Sequence, residues 1–130
     1  MKVRKEITVA LQNAPGRLGH LCECIAEKAN ILAISVVESA NMGIVRLVVD
    51  KPAPVVKMIE ECCPMTVNVE EVLELSAPNK RGVLAKIASK LGKKRVNIEY
   101  IYGSTGGRGK AMIILKPSSI KRAKPLLRGM

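Results

Sequence analysis

Asn13-Ala14-Pro15-Gly16-Arg17-Leu18 decides the fold, because the same layout returns sixty-six residues later as Pro78-Asn79-Lys80-Arg81-Gly82-Val83-Leu84. Each copy follows an apolar run and opens a run of helical period, so each reads as strand, sharp turn, helix start. Glycine permits backbone angles and close approaches that side chains forbid. The first amides of a helix lack internal partners and carry the positive end of its dipole. Such a turn can hold a carboxylate or a phosphate, and it can equally be a plain strand-to-helix connection.

Working outward, Ile7-Thr8-Val9-Ala10-Leu11 alternates and reads as a strand. After the turn, Leu18, Leu21, Cys22, Ile25 and Ala29 form one helical stripe. Asn30 is read as its terminator in left-handed geometry. Ile31 to Val37 is a strand, Ala40 to Gly43 a turn, and Ile44 to Val49 the return strand of a hairpin. Pro52 and Pro54 suit a helix start, Val55, Met58, Ile59 and Cys62 give that helix a face, and Pro64 closes it. Thr66 to Val69 resumes strand character, which gives β-α-β-β-α-β.

The order then restarts. Val72 to Leu75 is a strand that can run on from Val67-Val69. Leu84, Ile87, Ala88 and Leu91 repeat the helical stripe, and with Gly16 set on Gly82, Asn97-Ile98 falls on Asn30-Ile31 with one extra residue. This is an internal duplication. Ile98 to Tyr102 and Ala111 to Leu115 are strands, with 103–109 as the loop between them. Ser119 is a plausible cap for a last helix, which Pro125 should break. The second copy has no room for a last strand. Either its sheet has an open edge, or another chain fills the gap, or the sequence is truncated.

Composition narrows the function. At 130 residues the chain is one ordinary domain or two very small ones, with no Trp or Phe and a core of aliphatic residues. No apolar run reaches membrane-spanning length and the start does not read as a signal peptide, so a cytoplasmic location without membrane association is expected. Residues 1–79 hold 8 Lys and Arg against 10 Asp and Glu, whereas 80–130 hold 14 against the single Glu99. A basic half attracts nucleic acid or an acidic partner, and it can also be a solvated face that keeps the protein dispersed.

Little points to catalysis. Cys22, Cys24, Cys62 and Cys63 form no C-x-x-C pair. His20 and Cys24 lie four apart on a helix, but two ligands do not make a metal site, and exposed helix positions are the better reading. Gly109-Lys110 resembles the end of a phosphate loop, but Ser104 stands where it needs Gly and Ala111 where it needs Ser or Thr. Tyr100 and Tyr102 share a strand face, and packing under a helix or a partner sheet is preferred to base stacking. No cofactor, metal or enzymatic activity is expected, and nucleic acid is the less favoured partner.

The repeated turn, the helix to Ala29, the Asn30-Ile31 and Asn97-Ile98 strand openings and the βαββαβ order resemble the ACT domain. The resemblance covers nearly the whole chain as two tandem copies, 1–70 and 71–130. It implies an α+β fold of two ferredoxin-like repeats, the second lacking its last strand, with antiparallel sheets and helices on one face. It also implies a non-catalytic, allosteric module that binds a small ligand, commonly an amino acid, at the interface between ACT repeats. ACT units pair, which favours a dimer, and the turn of one unit faces the second strand of its neighbour. With no catalytic domain in the sequence, any regulated enzyme would be a separate partner. The ligand-binding residues carried over are Asn13, Ala14, Pro15, Gly16, Arg17 and Leu18, with Asn79, Arg81, Gly82, Val83 and Leu84. The alternative is a basic module that binds nucleic acid or an acidic protein through residues 80–128.

Overall fold

Ten elements follow the chain in the computed structural model, which describes residues 1–62, 66–105 and 109–129. They are β1 (Lys2–Gln12), α1 (Arg17–Ala26), β2 (Ile31–Ser39), β3 (Met42–Val49) and α2 (Pro52–Cys62), then β4 (Val67–Pro78), α3 (Val83–Lys93), β5 (Ile98–Thr105), β6 (Lys110–Pro117) and α4 (Ile120–Leu126). Cys63, Pro64, Gly106, Gly107 and Arg108 lie outside the described residues. The fold is α+β, with βαββαβ order and antiparallel pairing of β1 with β3, β2 with β3, β4 with β6 and β5 with β6.

The chain divides into two compact units, Lys5–Glu70 and a second made of Met1–Arg4 with Glu71–Met130. In the first, the strand order is β2-β3-β1-β4. Alternation aims Ile7, Val9 and Leu11 of β1 and Val45, Leu47 and Val49 of β3 at Leu21 and Ile25 of α1 and Val55 and Ile59 of α2. Each fully buried aliphatic side chain contributes about 1.5–3 kcal/mol through removal from water. The hairpin turn is tighter than expected, with Ala40 and Asn41 both at positive φ and Met42 already in β3. Asn30 is not left-handed, because its backbone is committed elsewhere. Its N–H donates to Asp50 Oδ1 at 2.8 Å, and its carbonyl accepts from the Asp50 N–H at 3.1 Å.

The second unit repeats this plan. Leu73, Leu75 and Ala77 of β4 and Leu115 of β6 meet Ile87 and Leu91 of α3 and Ala123 of α4, with Leu127 beyond it. Asn97 takes the role of Asn30, donating to Ser118 Oγ at 3.0 Å and accepting from the Ser118 N–H at 2.8 Å. Its strand order is β1-β4-β6-β5. The place beside β4 is therefore taken by Lys2–Arg4, the head of β1, and Arg4 Nε pairs with Glu74 Oε1 at 3.2 Å. This is a source for the fourth strand that the spacing of residues 71–130 does not reveal.

Three local readings change. Gly103, Ser104 and Thr105 belong to β5, because Gly103 lets the strand lie close to β6. Pro125 sits inside α4, but the helix ends at Leu126, so few backbone bonds are lost. Tyr100 and Tyr102 do not pack under a helix. Ile98 and Ile101 take the side of the helical core, and the tyrosine rings stack on each other at 6.5 Å. Ser119 does cap α4, accepting from the Arg122 N–H at 3.2 Å.

Candidate functional site

Both turns are built by a glycine in a conformation that L side chains rarely adopt. Gly16 has φ 85° and Gly82 has φ 87°, and each is the N-cap of the helix that follows. A Cβ at either position would meet nothing within 4 Å, so the requirement for glycine is conformational and not steric. Backbone bonds tighten each turn in the same way. The Ala14 N–H donates to Gln12 O at 2.9 Å and the Lys80 N–H to Pro78 O at 2.9 Å. The Asn13 and Asn79 N–H groups donate to Asn41 O and Gly109 O at 3.1 and 2.8 Å, which ties each turn to its hairpin. Neither helix has an acidic residue in its first turn, so the positive dipole end is not neutralised locally.

Behind each turn lies a cavity within the same unit. In the first it is lined by Asn13, Ala14, Arg17 and Leu18 of the turn and helix start, with Leu11, Gln12, Val36, Gly43 and Val45 of the strands, and holds about 40 Å³. In the second it holds about 310 Å³. There Asn79, Lys80, Val83 and Leu84 face Ile101 to Ser104 of β5 and Ala111 to Ile113 of β6.

The carried-over residues therefore divide. Asn13, Ala14, Arg17, Leu18, Asn79, Val83 and Leu84 line the cavities. Pro15, Gly16, Arg81 and Gly82 shape the turns without lining them. Leu18 and Leu84, read from the stripe as core, are 38% and 53% exposed at the helix starts. Lys80 was not among the carried-over residues, although its turn position could have suggested it. The strand residues were also missed, because they are set by register.

The second unit also has a wider, open hollow of about 880 Å³ against α4, lined by Val3, Glu71, Ser119, Ile120, Lys121, Lys124, Pro125 and Arg128. His20 and Cys24 come together, with Nε2 and Sγ 3.8 Å apart, but among the described residues no group of three or more His, Cys, Asp or Glu could hold a metal ion. Among the described residues no helix is long and apolar enough to cross a membrane.

An α+β unit with an antiparallel sheet, helices on one face and a glycine turn at a helix start defines the class. Within it, residues 72–128 match the ACT domain. The chain belongs to the family of protein BT0572 from Bacteroides thetaiotaomicron, a solved structure to which it is similar at 32% identity and TM-score 0.88, covering 96% of this chain and 86% of that one. It is also similar in fold to the regulatory subunit of aspartate kinase from Thermus thermophilus, ligand-free form (TM-score 0.72, 16% identity, 98% and 94% of the two chains). The Thermus flavus aspartate kinase regulatory subunit gives 0.70, 14%, 95% and 88%. None of the curated protein sequences matches the chain.

Proposed function

We propose that this chain is a non-catalytic regulatory module that binds an amino acid at an ACT turn and acts on a separate enzyme. The observation that carries the reading is the 310 Å³ cavity against the Gly82 turn, which is small-molecule size. Amides at the start of α3 and the Lys80 ammonium suit an α-carboxylate, and the Asn79 side chain suits an α-ammonium. The ACT match and the two regulatory-subunit neighbours support a regulatory role in place of a catalytic one.

On this reading residues 1–70 are a second ACT-like copy beside 71–130, and the molecule is an allosteric cytoplasmic dimer. Ile34, Val36 and Val37, exposed on the edge strand β2, support pairing. Regulation requires the ligand to bind two packings unequally.

The test is thermal unfolding with each of the twenty amino acids. A ligand at a hundredfold excess over Kd is expected to stabilise the fold by about 2.7 kcal/mol. Gly82→Val is expected to remove the shift while leaving a cooperative transition. No shift with any amino acid would refute the reading, and a shift kept in Gly82→Val would remove the turn from the site.

One observation favours a second reading. Lys86, Lys90 and Lys93 lie at i, i+4 and i+7 on α3, and Lys121, Arg122 and Lys124 lie on α4. Among the described residues none of these six is ion-paired with a carboxylate. Arg122 donates to the carbonyl of Lys94 and so ties α4 to the end of α3. This face would take an acidic partner or nucleic acid. Binding to heparin or duplex DNA is expected to weaken steeply between 50 and 200 mM salt if the face serves this purpose, roughly in proportion to the phosphates neutralised. Salt-insensitive binding, or none, would leave these residues as a solvated surface.

A further inference from the structure

The two turns are alike, but the spaces behind them are not, and the difference has three causes. Strand pairing sets Leu11 opposite Gly43 and Ala77 opposite Ala111, so Leu11 and Ala77 hold the same place. It likewise sets Val36 opposite Val45 and Gly103 opposite Ile113. One residue after the turn glycines stand Arg17 and Val83. At all three places the second unit has the smaller side chain. In the first unit Arg17 Nη2 also donates to Gln12 Oε1 at 3.2 Å, which holds the guanidinium over its own turn. Pro78 stands in the place of Gln12 and offers no such acceptor. The outcome is about 40 Å³ in the first unit, room for a single water, against about 310 Å³ in the second.

The lining of the larger cavity decides the ligand chemistry. Its walls are Val83, Leu84, Ile101, Met112 and Ile113, and Lys80 is the one charged residue among the lining. A cationic side chain brought here would face a cation and no carboxylate. A dicarboxylate would bring a second negative charge with no second cation to meet it. Beyond the groups that hold the α-carboxylate and α-ammonium, only the neutral hydroxyls of Tyr102 and Ser104 stand in the lining, so either charge would lose hydration with no opposite charge to offset it.

We infer that ligand binding belongs to the second unit alone, and that the ligand is a monocarboxylate with an apolar side chain of leucine, methionine or phenylalanine size. This rests on the regulatory reading above and narrows it. The turn motif alone favours the first copy, whose Pro-Gly pair is the more regular, but Arg17 and Leu11 occupy the space there.

The experiment is calorimetric titration of the full chain with leucine, methionine, phenylalanine, aspartate, glutamate, lysine and arginine. Two variants accompany it. Val83→Arg installs the residue of the first turn, and Ala111→Leu fills the cavity from a half-buried position on β6. Circular dichroism checks that both fold. Leucine, methionine or phenylalanine is expected to bind at least tenfold tighter than the charged amino acids, and either variant to weaken that binding at least tenfold. Full binding in both folded variants would overturn the placement. Tighter binding of a charged amino acid would overturn the ligand class while leaving the regulatory reading intact. Absence of binding by every amino acid would refute both.

Discussion

Ile87→Ala is expected to destabilise the protein by about 3 kcal/mol, within the range for truncating a buried aliphatic side chain to alanine. Ile87 is fully buried on α3, where it packs with Leu73, Leu75 and Leu91. The loss combines the transfer energy of the deleted methylene and methyl groups with the cavity left behind, and strand and helix backbones limit collapse into it. Leu84→Ala, one turn earlier on the same helix, removes similar atoms from a side chain that is 53% exposed. It is expected to change stability by no more than about 0.5 kcal/mol. Urea unfolding of the two variants checks the contrast. Equal shifts in midpoint would mean that α3 does not seat on the sheet through Ile87.

Gly103→Ala is expected to cost about 1–3 kcal/mol, by overpacking and not by loss. A Cβ there would lie 2.5 Å from the carbonyl oxygen of Met112 and 3.3 Å from Ile113 Cα. Both are backbone atoms of the paired strand, so neither can swing aside. The β5–β6 pair must part locally, and the cavity wall moves with it. The same urea titration, together with ligand binding, reads both effects. A variant as stable as the parent would show that the hairpin accommodates the methyl group. In the first unit Val36 occupies this place and is 48% exposed, so a side chain is tolerated where β2 and β3 are spaced for it.

Much of the fold was legible because it rests on short-range periodicity. The alternation at Ile7, Val9 and Leu11 and the spacing of Leu21, Ile25, Ile87 and Leu91 need only local sequence, and all these residues are buried. The turn glycines were legible because Gly16 and Gly82 recur in the same context and hold the same left-handed geometry. Leu18 and Leu84 were misread as core because helical phase does not show that a first turn projects past the sheet. Gly103 and Ala111 could not be placed at a site from sequence. Their role follows from strand register, which brings residues from separate strands to the same wall. The difference between the cavities was hidden for the same reason. It lies in Leu11 against Ala77 and Val36 against Gly103, pairs that align only once the strands are paired.

The placement of Met1–Arg4 in the unit of Glu71–Met130 bears on how the molecule acquires its structure. Arg4 and Glu74 are separated by 70 positions, so their pairing closes a long loop whose entropic cost must be met before the contact stabilises anything. Contacts of this range slow folding. Residues 1–4 thus wait for residues 71–130 to be made before they find their place. Deletion of residues 1–4 would be felt first in residues 71–130, as slower refolding and faster hydrogen exchange along β4.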